Sequence, residues 1–328
     1  MLFGRWLWAF ALAGCLGGGA NFSSDGDADA GADADTDADA DTDTDSCAIP
    51  DGPLEMNRLS AVASEDVAFD ADGNVVGSDT NSLLRSPYAG APTILTADIQ
   101  QQAGLRFLPD GRLVVADDSE GNLYIVDPDG TSTVLLSGLS YPNGIAIDPD
   151  GFVYLTEKYS GSVRRIDPDT GAFTLIVDGG ITEANGLTFD PTYRFLYVDG
   201  TSGAGTVYRI PIAADGTPGT VEAWAEGVGF GRLDGMACDE CGYVYVCDYS
   251  SPANGNTVVH RISPDGLHQE IVIDTSTLGG YFGSFLANMD WGSGIEGWRT
   301  DAFYFADTAS QRVIEVVIGI EGKPRVYP

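Results

Sequence analysis

The sequence predicts an all-β protein, a six-bladed β-propeller whose blades are four-stranded antiparallel sheets. One observation is a motif, Asn-Gly-Leu-Thr-Phe-Asp at residues 185–190, that recurs along the chain. Its looser copies end at Asp70, Leu108, Asp148, Asp239 and Gly292. Successive copies are 38 to about 53 residues apart, a period typical of propellers. A second observation is that no window of the globular part sustains the 3.6-residue apolar period of a helix.

Each copy of the motif is predicted to be the first strand of a blade. A turn rich in Asp, Pro and Gly follows it, and then comes a short β-forming run, as at 153–155 or 196–198, which together indicate a hairpin. Third strands are predicted at 122–126, 162–166, 206–210 and 257–262. Weaker fourth strands are predicted at 133–136, 173–177, 221–225 and 270–273. Radial repetition of such blades leaves only short, protected sheet edges.

Residues 1–14 are predicted to be an export signal. Arg5 precedes an apolar run at 6–12 that is too short to span a bilayer. The run ends in Leu12-Ala13-Gly14-Cys15, which resembles the lipobox of bacterial lipoproteins, where the cysteine is acylated after cleavage. We therefore expect Cys15 to anchor the exported protein to a membrane, at the outer membrane or cell surface. An ordinary signal peptide is the alternative.

Residues 15–46 are predicted to be a disordered tether. Ten Asp and no Lys or Arg lie between Asp25 and Asp45, so this stretch cannot bury enough apolar surface to offset chain entropy. Calcium loops are the alternative, but no Glu ligand and no flanking helix follow the Asp pattern. The chain carries a formal net charge of −33, most of it outside the tether, which argues against nucleic acid as a partner.

Residues 47–328 are predicted to form one monomeric propeller domain. It holds an even number of cysteines in an exported chain, so two disulfides are expected among Cys47, Cys238, Cys241 and Cys247. Cys238 and Cys241 flank a predicted two-residue turn, yet spacing alone leaves all three pairings open. A zinc site is the rival interpretation, with only one Cys-x-x-Cys and no histidine nearby in sequence.

A candidate metal site is predicted five residues before the end of each motif copy. Equivalent positions of a propeller form a ring around the channel, and here they are Glu65, Ala103, Asn143, Asn185, Asp234 and Ala287 or Asn288. Converging oxygen donors that include two carboxylates suit a hard divalent cation, Ca²⁺ first, with Mn²⁺ or Zn²⁺ as alternatives. The competing interpretation is that Asn-Gly and Asp-Gly are turn dipeptides. It does not account for Glu65.

These residues, with the strands that follow them, resemble the senescence-marker-protein (regucalcin), gluconolactonase and luciferin-regenerating-enzyme family over about residues 60–320. The resemblance implies that Glu65, Asn185 and Asp234 hold one divalent metal and that Asn143 contacts substrate. Asn288, in the loosest copy, is the second predicted substrate contact. Two positions differ from the family pattern: Asp66-Val67 follows the Glu, and Tyr141-Pro142 replaces an Arg before the substrate Asn.

The predicted function is metal-dependent hydrolysis of lactones or related small esters. The metal would polarise the ester carbonyl and activate water, with Asp234 as proton acceptor. No Gly-x-Ser-x-Gly motif supports a serine hydrolase. The alternative is a propeller without this chemistry, either an NHL-type module that binds a protein or a glycan or a strictosidine-synthase-like propeller.

Overall fold

The computed structural model describes residues 47–99, 101–200, 205–249, 257–277 and 285–327. In these ranges the chain forms 24 strands and one short 3-10 helix, Thr275–Thr277. The strands make six four-stranded antiparallel sheets, which confirms the predicted six-bladed propeller. The predicted signal peptide 1–14, tether 15–46 and lipidation site Cys15 lie outside the described residues. Within the described ranges no helix is long and apolar enough to cross a membrane.

Five blades are built from four consecutive strands each. The first comprises β2 (Ala68–Phe69), β3 (Asn74–Ser78), β4 (Leu83–Pro87) and β5 (Thr93–Thr96). The second comprises β6 (Gly104–Phe107), β7 (Leu113–Asp117), β8 (Asn122–Val126) and β9 (Ser132–Leu136). The third comprises β10 (Pro142–Ile147), β11 (Val153–Glu157), β12 (Ser162–Ile166) and β13 (Phe173–Val177). The fourth comprises β14 (Ala184–Phe189), β15 (Phe195–Gly200), β16 (Thr206–Pro211) and β17 (Glu222–Glu226). The fifth comprises β18 (Leu233–Cys238), β19 (Val244–Asp248), β20 (Val258–Ile262) and β21 (Gln269–Asp274).

The sixth blade joins the two ends of the described chain. Its inner strands are β22 (Leu286–Trp291), β23 (Ala302–Asp307) and β24 (Arg312–Val317). Its outermost strand is β1 (Glu55–Arg58), which pairs antiparallel with β24 from Glu55 opposite Val317 to Arg58 opposite Ile314. The ring is therefore closed by hydrogen bonds between segments that are about as far apart in sequence as this domain allows.

Apolar and aromatic side chains of the two inner strands fill the space between neighbouring blades. The strands β11, β19 and β23 are buried along their whole length. At the junction of the first and sixth blades, Phe69, Trp298 and Tyr304 meet edge to face, with ring centroids 4.9 to 5.4 Å apart. The buried Trp298 Nε1 donates to the Gly73 carbonyl at 2.8 Å, so its polar atom is satisfied.

One disulfide, rather than two, is present among the described cysteines. Cys47 is bonded to Cys241, with Cα atoms 6.0 Å apart, and this bond ties the start of the domain to the fifth blade. Cys238 and Cys247 are free and buried. The expectation of a second bridge is corrected because both thiols lie in the core, where Cys238 pairs with Val244 and Cys247 with Val259 across their strands.

The C-terminal segment packs into one end of the central channel. The Lys323 amide donates to the Cys238 carbonyl at 3.0 Å, and the Lys323 Nζ lies 3.1 Å from the Tyr193 hydroxyl. Arg325 donates to the Trp291 carbonyl. Only about 50 Å³ of cavity is left beside these side chains. The other end of the channel holds a much larger cavity.

Candidate functional site

The channel-facing residues of four blades sit on irregularities in the first strand. In β10, β14, β18 and β22 the pairing with the second strand shifts register between the residues that flank Asn143-Gly144, Asn185-Gly186, Asp234-Gly235 and Ala287-Asn288. Such β-bulges bend the strand locally and re-aim a side chain, and they are over-represented next to active sites. In these four blades the motif positions predicted from sequence therefore lie inside strands, in bulges, and are not turn dipeptides.

Thr156 of β11 stabilises the bulge in the third blade. The Gly144 amide donates to Thr156 Oγ1 at 2.8 Å, and the same hydroxyl donates to the Asn185 carbonyl of the next blade at 2.6 Å. Thr156 is fully buried, so these bonds are shielded from water. They couple the position of Asn185 to the neighbouring blade.

The glycine of each bulge allows two blades to approach closely. A Cβ on Gly186 would lie 2.2 Å from the Asp234 carbonyl oxygen, and a Cβ on Gly144 would lie 2.5 Å from that of Asn185. Neither glycine has a positive φ, so close approach, not turn geometry, is what requires glycine here. The backbones of the predicted site residues are thus stacked around the channel.

The predicted ligands line one cavity of about 410 Å³ at the open end of the channel. Glu65, Asn143, Asn185 and Asp234 all contribute to its wall. Asn143, Asn185 and Asp234 are buried, and Glu65 is half-buried. The cavity is large enough for a small lactone or ester beside a metal ion.

Glu65 and Asp234 are two acids placed in a poorly solvated wall. Burial, followed by repulsion from Asp234 and Asp118, raises the pKa of Glu65 to about 8. Burial raises the pKa of Asp234 to about 7, and the charge of Lys158 partly offsets this. Two acids destabilised in their charged forms at one cavity are stabilised by a cation.

Asn185 contributes a side-chain oxygen to the same cavity wall. Its amide nitrogen donates to the Leu233 carbonyl at 3.3 Å, while its buried Oδ1 has no hydrogen-bond partner. An unsatisfied buried acceptor beside two carboxylates fits a hard cation. In the described part of the chain no three His, Cys, Asp or Glu side chains cluster as a metal site. A metal here would therefore need the amide oxygen as well as the two carboxylates.

The two predicted substrate contacts are placed differently. Asn143 lines the cavity. Asn288 does not, because its side-chain amide donates to the Glu65 carbonyl at 3.1 Å, as does its backbone amide. A Cβ on Gly235 would lie 2.3 Å from Asn288 Oδ1, so this side chain is packed against the fifth blade. The observed contacts of Asn288 hold Glu65 in position.

Sequence reasoning missed the residues that follow the second strands. The acidic residues that end two of these strands stabilise the scaffold, because Asp117 and Asp248 accept backbone N–H groups of adjacent loops. In four blades the residue directly after the second strand lines the cavity, and its type varies: these residues are Asp79, Asp118, Lys158 and Tyr249. Variation at one repeat position, beside a constant neighbour, was the signal for a functional ring.

Comparison with known proteins adds one family match. Residues 152–278 match the SMP-30/gluconolactonase/LRE-like region. This SMP-30/gluconolactonase/LRE-like match confirms the predicted resemblance for the part of the chain that contains Lys158, Asn185 and Asp234. No curated protein sequence matches the chain.

Solved structures share the fold. A gluconolactonase from Xanthomonas campestris is 20% identical, with a TM-score of 0.66 over 81% of this chain and 90% of its own. A calcium-binding regucalcin from Agrobacterium tumefaciens is 19% identical, with a TM-score of 0.62 over 83% and 96%. An auxiliary nutrient binding protein from Bacteroides ovatus is 18% identical, with a TM-score of 0.59 over 79% and 69%. At these identities the likeness concerns the propeller fold alone.

Proposed function

We propose that this protein is a metal-dependent hydrolase of lactones or related small esters. The observation that carries the proposal is the convergence of Glu65, Asp234 and the unpartnered Asn185 Oδ1 on one cavity. The family match and the structural likeness to a gluconolactonase support it. A single divalent cation is the implied cofactor, and Ca²⁺ fits an all-oxygen donor set best, with Mn²⁺ or Zn²⁺ as alternatives.

The three donors have distinct roles in this proposal. Glu65 and Asp234 supply negative charge, and Asn185 supplies a neutral oxygen that the fold leaves without a donor. The bound cation would polarise an ester carbonyl and acidify a water. Asp234, which would be ionised beside the bound cation, would accept the proton of that water as the general base. Asn143, in the same wall, orients the substrate.

The direct test is hydrolysis of a panel of aldonolactones and aryl esters. We expect turnover with added Ca²⁺, Mn²⁺ or Zn²⁺ and its loss with chelator, restored when metal is returned in excess. Activity that is indifferent to chelation would remove the metal mechanism. Absence of turnover with every metal would remove the hydrolase.

A ligand-binding propeller without turnover is the second candidate. It is favoured by the likeness to a nutrient binding protein and by a cavity wall that is mostly polar. In that case metal would raise the unfolding temperature and small ligands would bind, yet none would be hydrolysed. The same panel, read by calorimetry as well as by product formation, separates the two candidates.

We further propose that the protein acts outside the cytoplasm as a lipid-anchored monomer. The Leu-Ala-Gly-Cys sequence at 12–15 and the Asp-rich stretch between Asp25 and Asp45 support this. The acidic tether would keep the cavity at a distance from anionic headgroups and accessible to small molecules.

A further inference from the structure

Lys158 is the one basic side chain among the described residues that line the large cavity. The whole sequence contains only two lysines, and the other, Lys323, lies with the C-terminal segment at the opposite end of the channel. Lys158 follows Glu157 directly, at the variable position of the functional ring. Its backbone amide donates to the Tyr141 carbonyl at 2.9 Å, which fixes the start of its side chain at the cavity wall.

The ammonium group of Lys158 interacts with Asp234 and Glu65 only through space, by lowering the pKa of their carboxyls. Among the described residues it forms no hydrogen bond and no ion pair within 4.0 Å, and its Nζ lies 5.6 Å from the centroid of the Tyr141 ring. Tyr141 itself stacks against Tyr159 with ring centroids 4.6 Å apart. The cation thus lies over the Tyr141 ring in the cavity wall, with donors that no described residue takes up.

Four carboxylates share the wall with Lys158, so the charge balance of the cavity depends on the bound metal. Glu65, Asp79, Asp118 and Asp234 outnumber the single ammonium by three charges. A divalent cation held by Glu65 and Asp234 would cancel those two carboxylates. Asp79 and Asp118 would keep their charges. Lys158 would then be the one cationic donor that the described wall itself offers to a ligand of the metal-loaded cavity.

We propose that Lys158 binds an anionic oxygen group on the substrate, so that the preferred lactones or esters carry a carboxylate or a phosphate away from the scissile bond. This inference rests on the proposed hydrolase function for its substrate class. In this proposal the reacting carbonyl would lie at Glu65, Asn185 and Asp234, and the anionic group would lie at Lys158 in the same cavity wall. Charge-assisted hydrogen bonds of this kind are about twice as strong as neutral ones.

The test compares matched lactones with the Ca²⁺-loaded full-length protein and its variants. An aldonolactone with a neutral hydroxymethyl terminus is set beside an aldarolactone with a carboxylate and beside a phosphorylated aldonolactone. We expect wild type to favour at least one anionic lactone about tenfold or more in kcat/KM, mainly through KM. Lys158→Met should reduce that preference about tenfold, and Lys158→Arg should retain most of it. Arg194→Met, which removes an exposed charge in the turn at the far end of β14, is the matched control and should keep the wild-type ratio.

Binding provides a readout that does not need turnover. Calorimetry with the corresponding aldonate, aldarate and phosphorylated aldonate measures the same ratio of affinities in the same four proteins. If no lactone is hydrolysed, the proposed function fails, whereas the binding ratio still decides the role of Lys158. A wild type that prefers the neutral ligand, or a Lys158→Met variant with the wild-type ratio, overturns the inference. Loss of only the carboxylate or only the phosphate preference identifies which anion the site takes.

Discussion

At the residue scale, the contrast between Glu65 and its neighbour Asp66 shows which acids belong to the scaffold. Asp66 is buried but accepts the Val67 and Leu105 amides and pairs with Arg106 at 2.7 Å. Glu65 has no ion pair among the described residues, and burial raises its pKa to about 8. A half-buried carboxylate without an ion-pair partner is costly when ionised, so Glu65 fits a ligand that supplies the missing positive charge.

Substitution of Asp234 should separate metal binding from folding. Asp234→Asn keeps the size of the side chain and removes one of the two negative charges at the predicted metal. We expect the affinity of Asp234→Asn for Ca²⁺ to fall about tenfold or more, and the same of Glu65→Gln. Each variant loses about 1.4 kcal/mol or more of electrostatic attraction to the cation. Calorimetric titration of the full-length protein measures this. Asp150→Asn, an exposed turn residue at the far end of β10, is the control. Equal affinities in all four proteins would contradict the metal site.

The same two acids predict how stability depends on pH without metal. Their folded-state pKa values are raised, to about 7 for Asp234 and about 8 for Glu65, above values near 4 for the unfolded chain. The folded protein therefore binds more protons, and their contribution is full below about pH 4 and is lost as pH rises through 7 to 8. Urea unfolding with chelator should therefore show the unfolding free energy falling as pH rises across this window. In the Glu65→Gln/Asp234→Asn double variant the unfolding free energy should fall less steeply with pH. A dependence on pH identical to that of wild type would refute the assignment of this loss to the two acids.

At the element scale, the strands could be predicted and the bulges could not. The period of the motif and the alternation of apolar and polar residues identify strands, because side-chain direction along a strand repeats every two residues. The predicted third strand at 162–166 and fourth strand at 173–177 agree with β12 and β13. A bulge, by contrast, is an extra residue whose presence depends on the partner strand, so Asn143-Gly144 resembled a turn until its pairing with β11 was known.

Thr156 offers a test of whether the bulge positions the site. Thr156→Val keeps the shape but leaves the buried Gly144 amide without its acceptor and the Asn185 carbonyl without its donor. We expect unfolding free energy to fall by about 1–3 kcal/mol. Because Asn185 is displaced, Ca²⁺ affinity should fall too, although Thr156 does not line the cavity. Thr156→Ser should restore both quantities. A variant that loses stability but binds Ca²⁺ as wild type would show that the bulge is structural only.

At the scale of the whole molecule, closure of the ring depends on contacts that no sequence pattern records. β1 completes the sixth blade from the opposite end of the domain, and its partly exposed residues carry no motif. The Cys47–Cys241 bond is similarly non-local, with a sequence separation of 194. The sequence repeat predicts the blades because five of the six are built from strands that are consecutive in the chain. Closure and disulfide pairing are decided only when the chain ends meet.

The disulfide should therefore stabilise the closed ring. Crosslinking so long a loop restricts the unfolded chain strongly, so Cys47→Ser or Cys241→Ser should cost about 2–5 kcal/mol. The two variants should agree with each other and with reduced wild type in urea unfolding, because all three lack the same bond. Cys238 and Cys247 remain buried thiols and should resist labelling until the protein unfolds. A reduced wild type as stable as the oxidised protein would contradict this role.

The final prediction concerns where the propeller is held. If Cys15 is acylated, Cys15→Ser should abolish lipid labelling and release the protein from the membrane fraction. The physical reason is that the body is strongly acidic and has no electrostatic attraction to anionic lipids, so the acyl chains alone retain it. Several chains are needed, since one chain binds only marginally. Fractionation after a high-salt wash measures retention, with Cys247→Ala as a cysteine control that keeps the anchor. A Cys15→Ser protein that stays with membranes after this wash would show that something other than lipid at Cys15 holds it there.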